Sequence, residues 1–357
     1  MGLPPPAGAR VIRLLACLVV WPLLVAPAVA QSTHLLVIVG VGGDEAHRER
    51  FHELAATLVD AARDRHGLAA DRVVYLGERL EIDPDRIKDR STWEMVAAEV
   101  WALGQRSAPG DTVFLVYIGH GSQQGDDVRL NLPGPDPSAG DVRSAFDVLA
   151  GRTVVFVNTA SSSGAFLEPL SGERRIIVTA TKTGGERDET EFAQYFVEAY
   201  GGDDTVVAAA DGNKDGRLSV LEAFVYARQR VVEHYEQDGL LLTEHAQLDD
   251  DGDGVGSMDF GVESADGRLA RAVFLSDAGH GETAAVETDD PELTRLYAER
   301  QALETRLEEL QRLGAAAGGE AYAAELENVL VDLARTSREI RDREAALAPP
   351  PGAEGQP

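Results

Sequence analysis

VVFVNTASSSGAF, residues 154–166, begins as an uninterrupted apolar run and ends in four small residues, Ser161, Ser162, Ser163 and Gly164. A β-branched run without polar alternation buries both faces, as a strand inside a parallel sheet does. Four more runs share the pattern: HLLVIVGVG (34–42), RVVYLGE (72–78), DTVFLVYIGHG (111–121) and RRIIVTATKTGG (174–185). Between the first two lies HRERFHELAATLVDAARDRHG (47–67), with Phe51, Leu54, Leu58 and Ala62 at helical spacing and Gly67 as its stop. Between the second and third lies STWEMVAAEVWALGQRSAPG (91–110), where Ser91 is the expected cap and Glu94 stands three residues on. Strands that alternate with amphipathic helices predict an α/β fold, a mainly parallel sheet with helices on both faces. Active groups of such sheets sit in loops at the carboxyl ends of strands. Two loops stand out, Gly119-His120-Gly121-Ser122 and Ala160 to Gly164.

The ends read differently. Arg10 and Arg13 precede the apolar stretch LLACLVVWPLLVAPAVA, and Ala28 and Ala30 supply a cleavage-type end, so residues 1–30 are expected to be a removed signal peptide. The only cysteine, Cys17, leaves with it. An exported chain without disulfides must be held by its core, by bound metal or by both. Localisation is expected to be periplasmic or secreted, with no membrane association after the signal is removed. The formal charge of −28 excludes nucleic acid as a partner and suits divalent cations.

DGNKDGRLSVLE (211–222) is the strongest local motif. Asp211, Asn213 and Asp215 stand at positions one, three and five of a calcium loop, and Gly216 makes the turn at six. Arg217 offers its carbonyl at seven, Ser219 stands at nine and Glu222 at twelve. The expected cofactor is Ca²⁺. The helix SVLEAFVYARQRVVEHYEQ (219–237) comes next, whereas GGDDTVVAAA (201–210) is a poor entering helix, so a single static site is expected. A second run, LDDDGDGVGSMDF (248–260), repeats the early spacing with Asp249, Asp251 and Asp253 but has Phe260 where the closing glutamate belongs. A weaker second calcium site and a plain solvated turn both remain open there.

Beyond Asp290, Leu296, Leu303 and Leu310 recur every seventh residue with Leu307 between them. GAAAGG (314–319) interrupts the pattern, which resumes with Tyr322, Leu326, Leu330, Leu333 and Ile340. Two antiparallel helices, a coiled-coil hairpin over 290–347, are expected, packing on the chain itself, on a second copy or on a partner protein. The tail 348–357 has no apolar content to bury and is expected to be disordered. The expected divisions are 31–240 for the α/β domain with its loop 211–222, and 241–289 for an acidic extension holding the candidate second loop and a strand.

VFLVYIGHGSQQG (113–125) and VVFVNTASSSGAF (154–166), in this order and spacing, resemble the caspase-like and legumain-like (C13) cysteine peptidases. RRIIVTATKTGG resembles the next strand of that family, ETEFAQYFVEAY (189–200) adds support behind it, and the resemblance spans about 34–235. It implies that His120 is the acid/base residue, that Gly121 lends its N–H to an oxyanion hole and that the substrate or ligand is a peptide or protein. It also implies that Ser161 stands where the nucleophilic cysteine would be and Thr159 where an acid would precede it. A serine hydroxyl is far less acidic than a thiol and needs a base held by a third group; Asp44, Asp126 and Asp127 are the candidates. Three readings are open. One is an exported, calcium-binding, non-catalytic homologue serving as a binding scaffold. The second is an active Ser-His hydrolase, and the third a calcium-stabilised structural α/β protein.

Overall fold

A computed structural model describes residues 31–125, 127–212, 216–260, 264–276, 290–317 and 320–347. The predicted signal segment 1–30, the tail 348–357, and Asp126, Asn213 and Asp215 lie outside the described residues. Among the described residues the strands are β1 (Thr33–Val39), β2 (Val73–Gly77), β3 (Asp89–Arg90), β4 (Thr112–Ile118), β5 (Gly121–Gln124), β6 (Asp127–Leu130), β7 (Thr153–Asn158), β8 (Arg175–Thr179) and β9 (Gln247–Asp249). Seven of them form one sheet in the order β3-β2-β1-β4-β7-β8-β9, and β5 and β6 form a separate antiparallel hairpin. All neighbours in the large sheet are parallel except β9, which runs antiparallel to β8.

Successive strand residues face opposite layers, as the pleat requires. Leu35, Val37, Phe114, Val116, Val155 and Val157 join one core, packed beneath α1 (Glu45–Asp64) and residues that are later in the chain. Leu36, Ile38, Val113, Leu115, Val154 and Phe156 join the other, beneath α2 (Trp93–Arg106), α3 (Ala139–Phe146) and α4 (Leu167–Leu170). The first layer is completed by α5 (Phe192–Gly201), α6 (Asp204–Ala210), α7 (Val220–Gln237) and α8 (Arg268–Ala272). A fully buried valine, leucine or isoleucine contributes roughly 1.5–3 kcal/mol, so two such cores hold the sheet without disulfides.

Several expectations change on contact with the structure. The cap of α2 is Thr92, which accepts from Met95 N–H; Ser91 is buried and donates to the Val39 carbonyl instead. Residues 204–210 do form an entering helix, α6, because Asp203 caps it by accepting from Thr205 and Val206 N–H. The division at 240 marks no break. β9 is the edge strand of the main sheet, and Ala246, Leu248, Ala270 and Val273 belong to the same core as α7.

The last two helices, α9 (Pro291–Ala317) and α10 (Glu320–Leu347), run antiparallel, since Leu293, Leu296 and Tyr297 of the first pack against Ile340 of the second. Arg343 closes that end with Asp290 at 2.5 Å. The Gly/Ala run stays helical through Ala317, so only Gly318 and Gly319 separate the helices. Leu333 is buried but Leu330 is 46 % exposed, so the seam passes through Val329 and Leu333 and leaves Leu330 outside it. Among the described residues, no helix is long and apolar enough to cross a membrane.

Candidate active site

Strand register decides which loops meet. Tyr117 of β4 is paired with Asn158 of β7, and His120 and Ser161 each stand three residues beyond that pair. Adjacent parallel strands that end level release their loops on one rim. The two side chains accordingly line a single hollow, with Phe51, Thr159, Glu189 and Thr190 among its walls.

His120 is held by its backbone and by its ring. Tyr117 Oη lies 2.8 Å from the His120 carbonyl and 3.1 Å from that of Asn131, whose N–H also donates to His120 O at 3.1 Å. The close approach explains Gly119, where a Cβ would stand 2.8 Å from Tyr117 Oη. The imidazole packs edge-on against Phe51 and His47, with centroids 5.0 and 5.1 Å away. The Gly42 backbone lies near it and favours the protonated ring. Gly42 is fixed in turn, its N–H donating to Glu78 Oε2 at 3.1 Å, and the buried Glu78 also accepts from Arg48 Nε at 3.2 Å. Burial, and then the charge of His47, push the His120 imidazole below its ordinary pKa.

The serine loop divides its work. Thr159 turns both its N–H and its hydroxyl back to the Tyr117 carbonyl, at 3.1 and 2.9 Å. Ser161 Oγ donates to the Gly121 carbonyl at 3.2 Å. Ser162 has φ 58°, a left-handed conformation that a non-glycine residue adopts only when its surroundings impose it, and its N–H donates to Glu186 O at 2.7 Å. Ser163 Oγ accepts from Thr181 N–H at 3.1 Å, and Gly164 N–H donates to Thr181 Oγ1 at 2.9 Å. A Cβ at Gly164 would collide with the Lys182 carbonyl and approach Thr183 N to 2.5 Å. The Ser-Gly pair therefore docks the loop on the segment after β8, and Ser161 is the serine that lines the hollow.

Gly121 is where the two loops touch, because a Cβ there would collide with the Ser161 carbonyl. Asn131 bonds to His120, so ladder alternation puts Gly121, paired with Leu130, at a non-hydrogen-bonded position. Its C=O and the N–H beside it then face the Ser161 loop, where an oxyanion donor would have to stand.

None of the described carboxylate candidates holds His120. Asp44 caps α1 and accepts from His47 Nδ1 at 2.8 Å, and Asp127 pairs with Arg129 at 2.7 Å. Among the described residues, no carboxylate is within ion-pairing reach of the His120 ring. Residues that sequence reasoning missed are His47, Glu189, Thr190, Glu78 and Tyr117. Their only signal was polar residues next to the predicted strand and helix ends.

The acidic loops share one winding. Asp211 Oδ2 accepts from Gly216 N–H at 2.9 Å, and Asp249 Oδ2 accepts from Gly254 N–H at 3.0 Å, five residues on in each case. Glu222 accepts the Ser219 N–H and hydroxyl through Oε2 as the capping box of α7, while Oε1 faces Gly212 across the loop. Arg217 stacks its guanidinium 3.6 Å from the centroid of Phe274, and Ser219 bridges to Phe274, tying the exit of the loop to residues after α8. The described side chains at ligand positions of this loop, Asp211, Ser219 and Glu222, offer oxygens, the donor type that a hard cation takes. In the second loop, ligand atoms of Asp249, Asp251 and Asp253 lie within 4.8 Å of one another. Phe260 supplies no oxygen and packs on Phe224 at 5.6 Å. Asp266 instead braces the turn, accepting from Asp250 N–H at 3.0 Å and Ser257 Oγ at 2.6 Å.

The peptidase C13 family model matches residues 98–248, which include both site loops and the 211–222 loop and end within β9. Two solved structures are similar over 61 % of this chain. One is a protein from Geobacter sulfurreducens, at 12 % identity, a TM-score of 0.40 and 92 % of that chain. The other is the Drosophila initiator caspase Dronc, at 10 % identity, a TM-score of 0.37 and 79 % of that chain. No curated protein matches. His120 and Ser161, which meet on one rim, both lie in the region 98–248 that matches the peptidase C13 family model.

Proposed function

We propose that the protein is an exported, calcium-stabilised C13-type domain that binds a peptide or protein segment in the His120–Ser161 hollow without cleaving it. One observation carries this reading: the Ser161 hydroxyl donates to the Gly121 carbonyl, and no described carboxylate stands within ion-pairing reach behind His120. A serine so placed has neither its proton directed to a base nor a base strengthened by an anion. Thr159, in place of an acid, turns its hydroxyl inward to Tyr117. Export to the periplasm or outside the cell is supported by the signal-type pattern of 1–30, and calcium by the oxygen spacing in 211–222. The exposed Leu330 and Val331 on α10 support contact with a second copy or a partner protein through the hairpin.

A Ser-His hydrolase is the second reading, favoured by His120 and Ser161 lining one hollow with Gly121 packed against the Ser161 loop. There Ser161 would attack a carbonyl, His120 would take its proton and return it to the leaving group, and N–H groups of Gly121 and Ser161 would hold the oxyanion. A fluorophosphonate probe separates the two. The scaffold reading expects no labelling of the wild-type protein, and thiol reactivity on Ser161→Cys that is lost on adding His120→Ala. Labelling of wild type that disappears in both Ser161→Ala and His120→Ala would replace it with the hydrolase.

A further inference from the structure

His47 has a carboxylate on each ring nitrogen: Nδ1 is 2.8 Å from Asp44 Oδ1 and Nε2 is 3.0 Å from Glu189 Oε2. A neutral imidazole carries one N–H and serves one such acceptor, so serving both requires the imidazolium. The bonds to Glu189 and Asp44 accordingly raise His47 above its ordinary pKa. The two carboxylates belong to different parts of the fold. Asp44 caps α1, and Glu189 lies in the segment between β8 and α5. A second cation of α1 joins them, Arg50, whose Nη1 is 2.9 Å from Glu189 Oε1 and whose Nη2 is 2.5 Å from Glu191. Next to Glu189, Thr190 donates to the Thr159 carbonyl at 2.5 Å. From the β4 side, the ring facing His47 is His120, at 5.1 Å and 64°, and Phe51 backs both.

We propose that His47 is a positioning residue of this site: an imidazolium strut between Asp44 and Glu189 that pins segment 189–190 to α1 as a wall of the hollow and, edge-on to His120, holds that ring uncharged. Its importance rests on reading the hollow as the ligand site, but its test does not. Two unit charges about 5 Å apart repel enough, at an effective dielectric between about 20 and 80, to move a titration midpoint by about 0.5 to 2 pH units. His47 keeps its proton while His120 gains or loses its own, so His120 feels the cation throughout. Above the His47 midpoint the strut has one N–H left for two carboxylates, and the wall loses one of its ties to α1.

The experiment is a histidine-ring NMR titration of the full chain, with the signals of its eight histidines assigned by single His→Gln variants. The expected result is a His120 midpoint below the ordinary imidazole value, a His47 midpoint above it, and a rise of about one pH unit for His120 in His47→Gln. An unchanged His120 midpoint in folded His47→Gln overturns the proposal, as does a His47 midpoint at or below the ordinary value. If His47→Gln does not fold, Glu189→Gln keeps both rings and must lower the His47 midpoint; no change there is equally fatal. A silent site and an active one both titrate, so the fluorophosphonate result bears only on the proposed function.

Discussion

Three consecutive serines illustrate how little residue type says about role. Ser161 lines the hollow, Ser162 takes a left-handed turn with a buried hydroxyl, and Ser163 locks onto Thr181. Gly164 is the residue of the loop that tolerates no side chain, because the Lys182–Thr183 backbone lies where a Cβ would go. Gly164→Ala is expected to destabilise the domain by about 1–3 kcal/mol or more, as overpacking against backbone does. Urea unfolding measures this, and a change within about 0.5 kcal/mol would mean that the loop docks differently. His120, Ser161 and Gly164 were legible in the sequence, because each ends an apolar run at a recognisable spacing. His47 and Glu189 were not, since each is a charged residue on a polar stretch and they acquire a partner only when α1 folds across to the segment after β8.

At the scale of elements, the start of α5 is anchored by a buried acid. Glu244, 3 % exposed, accepts from Glu191 N–H at 2.8 Å and Phe192 N–H at 3.3 Å, and burial pushes its carboxyl up to about 7. The folded state then holds a proton that the unfolded chain releases near 4.5. The contribution is therefore complete below that value and is lost as pH rises through about 7, a swing of roughly 3 kcal/mol. His34 acts oppositely, since burial lowers its pKa and folding then opposes its protonation. The difference between wild type and Glu244→Gln isolates the acid. The variant is expected to lack this part of the slope, and denaturant titrations at pH 5 and pH 8 that show equal slopes for both proteins would contradict it. The helix–loop–helix of α6, residues 211–219 and α7 is a second element-scale device. Calcium is expected to raise the melting temperature, and Asp211→Ala or excess chelator to remove the increase; a calcium-independent transition would leave the loop as a hydrogen-bonded turn.

Over the whole molecule, the α/β domain and the hairpin have separate cores. The hairpin cluster of Leu293, Leu296, Tyr297 and Ile340 is distinct from the two layers that cover the sheet. A chain ending at Ser276 is expected to keep the melting transition of the α/β domain, because β9, α8 and Leu275 already complete it. A lowered transition in scanning calorimetry would show that the hairpin is a structural part of the domain. If the hairpin carries self-association, sedimentation velocity will find the full chain larger than a monomer and the shortened chain monomeric. The charge of −28 makes any such association stronger at high salt than at low.

The sequence by itself determined the layered α/β class, the five main strands and the pair of loops that bear His120 and Ser161, because burial on both faces leaves a local pattern of apolar runs. Local spacing likewise marked the acidic loops and the two terminal helices. Only tertiary structure decided that β9 closes the sheet, that residues 204–210 are helical, that Asp44 serves His47 and not His120, and that Glu78 fixes Gly42 beside the site. Those outcomes depend on contacts between segments far apart in the chain, whose energies come from burial and hydrogen bonding that no local pattern encodes.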